Sequence, residues 1–261
     1  MSALTHIDQA GTRVQAEQEV VAEKIDAFDA FVRRVAELST GQTPSSAGMA
    51  ATTGTQLRVD SATDDHCRTV RRAFDETVRP HSVADGDGSE SLLETIREEL
   101  TDTIALALAP TTDVSFSPEL KQMVISKTRA RRAESTALHE ALGREERHLA
   151  DVGAAVDDIT AWLVDANETP LTDLGFDALE RRHETLTSHR DRCEELVHRR
   201  QQFLDETTKN GVAAGVRHEH LIPSLYRDFP VDHPVLATVA NLDAICDEGQ
   251  RTVRDHVVRR V

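Results

Sequence analysis

The sequence predicts an all-α protein, an elongated helical bundle built around one long antiparallel, coiled-coil-like hairpin over residues 118–210. Three observations predict it. Apolar residues recur every seven positions at Leu142, Leu149, Val156 and Leu163, with Leu138, Val152 and Ile159 in the second seam position. That spacing keeps one helix face against a partner. Thr169-Pro170-Leu171-Thr172 then breaks the pattern, because the residue before a proline is pushed out of helical geometry. Nowhere does apolar/polar alternation persist for the length of a strand outside helical patterns.

Taken in order, His6 to Leu38 reads as a long amphipathic helix. Ile7, Val14, Val21, Phe28 and Val35 form its stripe, supported by Ile25 and Val32, and Gly41 ends it. Residues 41–60 are rich in Gly, Ser, Thr and Pro and read as a flexible loop. Asp60 or Ser61 caps a shorter helix through Val78, with Cys67, Val70 and Phe74 on one face. Pro80 to Glu90 forms another loop. Its stretch from Asp85 to Glu90 faintly matches a calcium loop, but Ile96 stands where the closing glutamate belongs, so it reads as a polar turn. Ser91 and Glu94 form a capping box for a helix through Ala109, which Pro110 stops; Leu93, Ile96, Leu100 and Ile104 give its apolar face.

The hairpin begins with Ser117 as N-cap, Pro118 at the first helical position and Glu119 at the positive end of the helix dipole. Thr172 or Asp173 caps the return helix, and Asn210-Gly211 stops it. The return seam reads Phe176, Leu179, His183, Leu186, Arg190, Cys193, Val197, Arg200 and Leu204. A reversal centred near residue 170 places Leu163 opposite Phe176, Ile159 near Leu179 and His183, and Leu142 near Val197. Four seam positions are polar: Glu145, His183, Arg190 and Arg200. They are expected to set the register, with Glu145 pairing with Arg190 or a nearby arginine.

The segment from Gly215 to Pro234 holds three histidines, three prolines, the only tyrosine and Phe229. It reads as a loop covering one end of the bundle. Any interaction patch is expected there, at His218, His220, Tyr226 and Asp228. Asp232 or His233 starts a final helix striped by Val235, Val239, Leu242, Cys246, Val253 and Val257. The whole chain, 1–261, reads as a single elongated helical domain.

Composition bounds the setting. Hydrophobic residues make up 39% and aromatics only 3%, so the core is built mainly from Val, Leu, Ile and Ala. The net charge is −16, with 46 acidic against 30 basic residues, and lysine occurs only at positions 24, 121, 127 and 209. An acid-rich, lysine-poor surface suits near-saturated salt, where self-repulsion is screened; an ordinary acidic protein is the alternative. Cys67, Cys193 and Cys246 show no paired spacing, as expected of a reduced, cytoplasmic chain. No signal-peptide pattern precedes the first helix, and Ile104 to Ala109 is too short an apolar run to span a bilayer.

The chemistry-bearing patterns are sparse. Glu-x-x-His occurs at Glu145/His148, Glu180/His183 and Glu195/His198, a spacing used by di-iron bundles but equally that of solvated helix faces. His218, His220 and His233 are the weak metal candidates, lacking a further ligand at defined spacing. Lys127 to Arg132, Arg181-Arg182 and Arg199-Arg200 are basic, yet nearby glutamates pair them along the helix, and the acidic whole disfavours nucleic acid. There is no Gly-rich phosphate loop and no nucleophile elbow. No catalytic residue and no cofactor are therefore predicted.

Three stretches carry a family resemblance: the early F-D-A-F-V-R-R-V, then S-F-S-P-E-L-K-Q-M-V with the Arg/Glu-rich helix after it, and the closing segment from Asp228 to Val261. In these the chain resembles an uncharacterised, all-helical haloarchaeal family with a domain of unknown function. The resemblance implies a helical scaffold and supplies no catalytic residues. The functional expectation is a non-enzymatic scaffold or interaction protein of a halophilic archaeon, binding a protein partner or itself through its helices. The alternatives are a metal-binding bundle and an Arg-mediated regulator of nucleic acid.

Overall fold

The computed structural model describes residues 4–40, 59–82, 91–112, 114–213 and 221–260. Among the described residues there are eight α-helices and no strand. They are α1 (Leu4–Glu37), α2 (Val59–Thr77), α3 (Leu92–Glu99), α4 (Asp102–Ala107), α5 (Pro118–Glu168), α6 (Phe176–Ala213), α7 (Leu221–Leu225) and α8 (Pro234–Arg260). The loop expected over 41–60 lies outside the described residues as far as residue 58, as do Asp85 to Glu90. The chain divides into two compact units, Glu19–His139 and Met1–Gln18 with Glu140–Val261. The long helices α1 and α5 contribute to both.

In the unit Glu19–His139, the lower stripe of α1 packs with α2, α3, α4 and the start of α5. Phe28, Phe31, Val70, Phe74, Ile96, Ile104, Phe116 and Val124 form one buried cluster. Phe31 and Phe74 meet edge to face, centroids 5.4 Å apart, a preferred aromatic geometry. Helix ends are closed by side chains. Lys121 Nζ donates to the carbonyls of Ala36 and Leu38, each at 2.7 Å, and Arg71 donates to that of Leu108. These are carbonyls that a terminating helix leaves unpaired.

Two boundaries in this unit differ from expectation. The Ser91/Glu94 capping box is present, but the helix it starts stops at Glu99. Thr101 accepts from the Ile104 amide and caps a separate helix, α4. The break at Leu100 turns the chain so that Leu100, Ile104 and Leu108 all reach the core. The helix α2 begins at Val59, slightly before the expected cap.

In the other unit, α5 and α6 form the antiparallel pair. Ser117 caps α5 through the Leu120 amide, and Leu142, Leu149, Val152, Val156 and Ile159 are buried along it. The return differs in detail. Residues Leu171–Asp173 form a 3-10 turn rather than the cap of α6, and α6 starts at Phe176, with the Gly175 carbonyl accepting from Ala178 and Leu179. The longer connection moves the register toward later α6 residues. Trp162 meets His189 at 4.8 Å between centroids, and His148 stacks on Phe203 at 4.7 Å. Phe176, expected opposite Leu163, is instead exposed. At its far end α6 runs through Gly211 to Ala213, since one glycine costs a helix only about 1 kcal/mol.

Helix α8 packs antiparallel along α6. Gln250 donates to Thr187 at 2.7 Å. A Cβ built at Gly249 would sit 3.4 Å from the Leu186 methyls, at van der Waals contact, so the two helices are level with each other here.

Candidate functional site

Glu145 lies in phase with Leu142 and Leu149 on α5, so the helix carries its carboxylate inward. The side chain is 0% exposed, and so nearly are Arg200 and Tyr226, at 1% each. An unpaired charge in such a place costs several kcal/mol. Here it is paired. Arg200, on the buried stripe of α6 with Cys193 and Leu196, presents both terminal nitrogens: Nη1 to Oε2 at 2.7 Å and Nη2 to Oε1 at 3.0 Å. This is the bidentate fork that matches a carboxylate. The Tyr226 hydroxyl, just beyond α7, donates to the same Oε1 at 2.6 Å.

Aromatic rings close the cluster. The Arg200 guanidinium lies 5.3 Å from the Phe203 ring centroid, with His148 stacked on that ring. Tyr226 meets Phe229 edge to face at 5.2 Å. Burial, together with the Glu145 charge and hydrogen bond, pushes the Tyr226 phenol well above its ordinary value, so it stays a donor. Burial first, and then the Arg200 charge, push the His148 imidazole down. Glu145, Arg200 and Tyr226 together hold α5, α6 and the segment after α7, while Arg200 Nε and His148 Nε2 are buried without a hydrogen-bond partner among the described residues. None of the three central groups is turned toward solvent as an acid, base or nucleophile must be.

The remaining predicted residues fall elsewhere. Arg190 joins α8, not Glu145, through Asp243 (3.0 Å), Asp247 (2.8 Å) and Gln250 (3.2 Å). His183 is half-buried, and its Nε2 has no hydrogen-bond partner among the described residues. Asp228 and His233 are exposed. His218 and His220 lie outside the described residues. Among the described residues, no group of three or more His, Cys, Asp and Glu is arranged to hold a metal ion. Cys193 and Cys246 are free, and burial pushes their thiols up to about 12 and about 11, far from the thiolate that redox or nucleophilic work needs.

Two grooves run between α6 and α8. One, of about 550 Å³, is lined by Arg190, Glu194, Val197, Val239 and Asp243, among others. The second, of about 430 Å³, lies between the start of α6 and the end of α8. Its floor is mostly apolar, with Leu179, Val253 and Val257, and the half-buried His183 also lines it. Phe176, 61% exposed, and Val258, 73% exposed, stand on opposite walls. Glu180 and Glu184 rim the α6 wall, and Arg254 rims the α8 wall. The sequence marked the seam but not this groove. Phe176 and Val257 read as interior from spacing alone, and the register that leaves Phe176 outside depends on the length of the turn.

The described residues thus define an all-helical protein with a closed polar cluster and an open apolar groove. No helix among them is long and apolar enough to cross a membrane. The chain belongs to the DUF7260 family, described as a domain of unknown function, which matches residues 5–250. No curated protein and no solved structure matches it.

Proposed function

We propose that this chain is a non-enzymatic helical interaction protein, and that the groove between the start of α6 and the end of α8 takes up an amphipathic helix. The observation that carries this reading is the exposure of Phe176 and Val258 on facing walls. Large apolar side chains gathered around an apolar groove mark recognition surfaces rather than ordinary solvated faces. The charged rims describe the partner. It carries an apolar stripe, a basic edge toward Glu180 and Glu184, and an acidic edge toward Arg254. The closed state of the Glu145 cluster and the raised cysteine pKa values support a role without catalysis.

The same reading places the protein in the cytoplasm of a salt-adapted organism. Its lysine-poor acidic composition and the buried, unbridged Cys193 and Cys246 support that setting. The test is a photo-crosslinking phenylalanine analogue at position 176, activated in the native host, with the captured peptide sequenced. A helical peptide with the stated charge order is expected. Capture no greater than from an exposed control position such as Glu168 contradicts the reading.

A further inference from the structure

We propose that this groove is covered by the same α6/α8 face of a second copy of the chain, forming a two-fold dimer. The inference rests on the interaction reading above and names its partner. The contacts of Leu186 with Gly249 and Thr187 with Gln250 fix the level of α6 against α8. The two helices run in opposite directions. Each step from Thr187 back toward Phe176 therefore matches a step from Gln250 on toward Arg260. On that scale Glu184 lies level with Val253, and Glu180 with Val257. Arg254 sits between the two glutamates in height, on the opposite wall.

This arrangement is self-complementary about one axis only. A two-fold axis parallel to the helices lays the α6 wall of one copy on the α8 wall of the other. Arg254 then meets the other copy's Glu180 and Glu184, and symmetry repeats the contact on the far side. Phe176 of each copy falls on the Val257 and Val258 side of the other. A two-fold axis across the helices instead sets α6 on α6, glutamate against glutamate, which like-charge repulsion opposes. Glu180, Glu184 and Arg254 are all exposed and form no ion pair among the described residues, so each is free to pair across the interface. Burial of the apolar floor supplies the affinity, and the rims supply the register.

The test is light scattering of the full chain after size exclusion, across a concentration series, in the lowest salt at which circular dichroism shows the full helical signal. Twice the chain mass is expected. Phe176→Asp should yield monomers. Glu184→Arg alone and Arg254→Glu alone should each weaken the dimer by about tenfold or more. Mixing those two variants should restore it, because one copy's new arginine meets the other's new glutamate while the opposite side keeps a native pair. A misfolded variant does not recover on mixing.

A monomeric wild-type chain, or a dimer indifferent to all three substitutions, overturns the inference. The crosslinking at position 176 then separates the two levels. If it captures an amphipathic helix of another protein from a monomeric chain, the second-copy inference fails and the interaction reading stands. If it captures nothing, both fail.

Discussion

Glu145 and Glu99 are both buried helix glutamates, one in each unit, yet their cations differ in access to water. Glu145 is held by Arg200 and Tyr226, which are as buried as the glutamate itself. Glu99 accepts from Lys24 Nζ at 2.6 Å and from Arg131 Nη2 at 3.0 Å. Those two cations keep 21% and 30% of their side-chain surface exposed, against 1% for Arg200. Arg131 also holds Glu134 at 2.5 Å. A buried ion pair is therefore not one kind of object. Where the cation reaches solvent, water replaces a lost partner. Where it does not, removal strands a charge.

The substitutions that sharpen this contrast can be ranked. Arg200→Ala leaves Glu145 buried with only a phenol for company and should cost about 3–5 kcal/mol in denaturant unfolding. Tyr226→Phe removes one hydrogen bond to a carboxylate that keeps its arginine, and should cost about 2 kcal/mol. Arg131→Ala leaves Lys24 on Glu99 and opens a path for water, so about 1 kcal/mol is expected. Equal losses from Arg200→Ala and Arg131→Ala would erase the distinction between the two sites.

Acid separates the units by the pH at which each responds. Burial alone would raise the Glu99 carboxyl, but the Lys24 hydrogen bond and the Lys24 and Arg131 charges outweigh it, and the net direction is down. Its contribution is complete above the unfolded value of about 4.3 and is lost as pH falls through the depressed folded value. His148 is also pushed down, by burial and then Arg200, with a different consequence. Below about 6.5 the unfolded chain takes up the proton first, so stability declines already in mild acid. Thermal melts between neutral pH and the carboxylate range should show that early decline, and His148→Gln should remove part of it. A His148→Gln slope identical to wild type would contradict the assignment.

Much of the scaffold was legible because helix faces follow from spacing. The seven-residue stripe of α1 is buried at Ile7, Val14, Val21, Phe28 and Val35, and Pro170 does mark the reversal. Glu145 stood out as the polar break in an apolar seam. Its true partners did not. Spacing tells which face of α6 turns inward, but that face is shared between α5 and α8, so Arg190 and Arg200 looked equivalent from sequence. The register depended on the 3-10 turn at Leu171–Asp173, which no periodicity encodes. Tyr226 was conspicuous as the only tyrosine, but its hydrogen bond to a residue 81 positions away belongs to tertiary packing alone.

The most direct measurement is a double-mutant cycle on Glu145 and Arg200, each changed to methionine, in a Tyr226→Phe background that leaves no phenol without its acceptor. If the pair is a closed, mutually dependent unit joining α5 to α6, each single substitution is severe. The double variant should then recover to within about 1–2 kcal/mol of the background, since two methionines fill the site without stranding a charge. Losses that simply add would mean that the two side chains act independently.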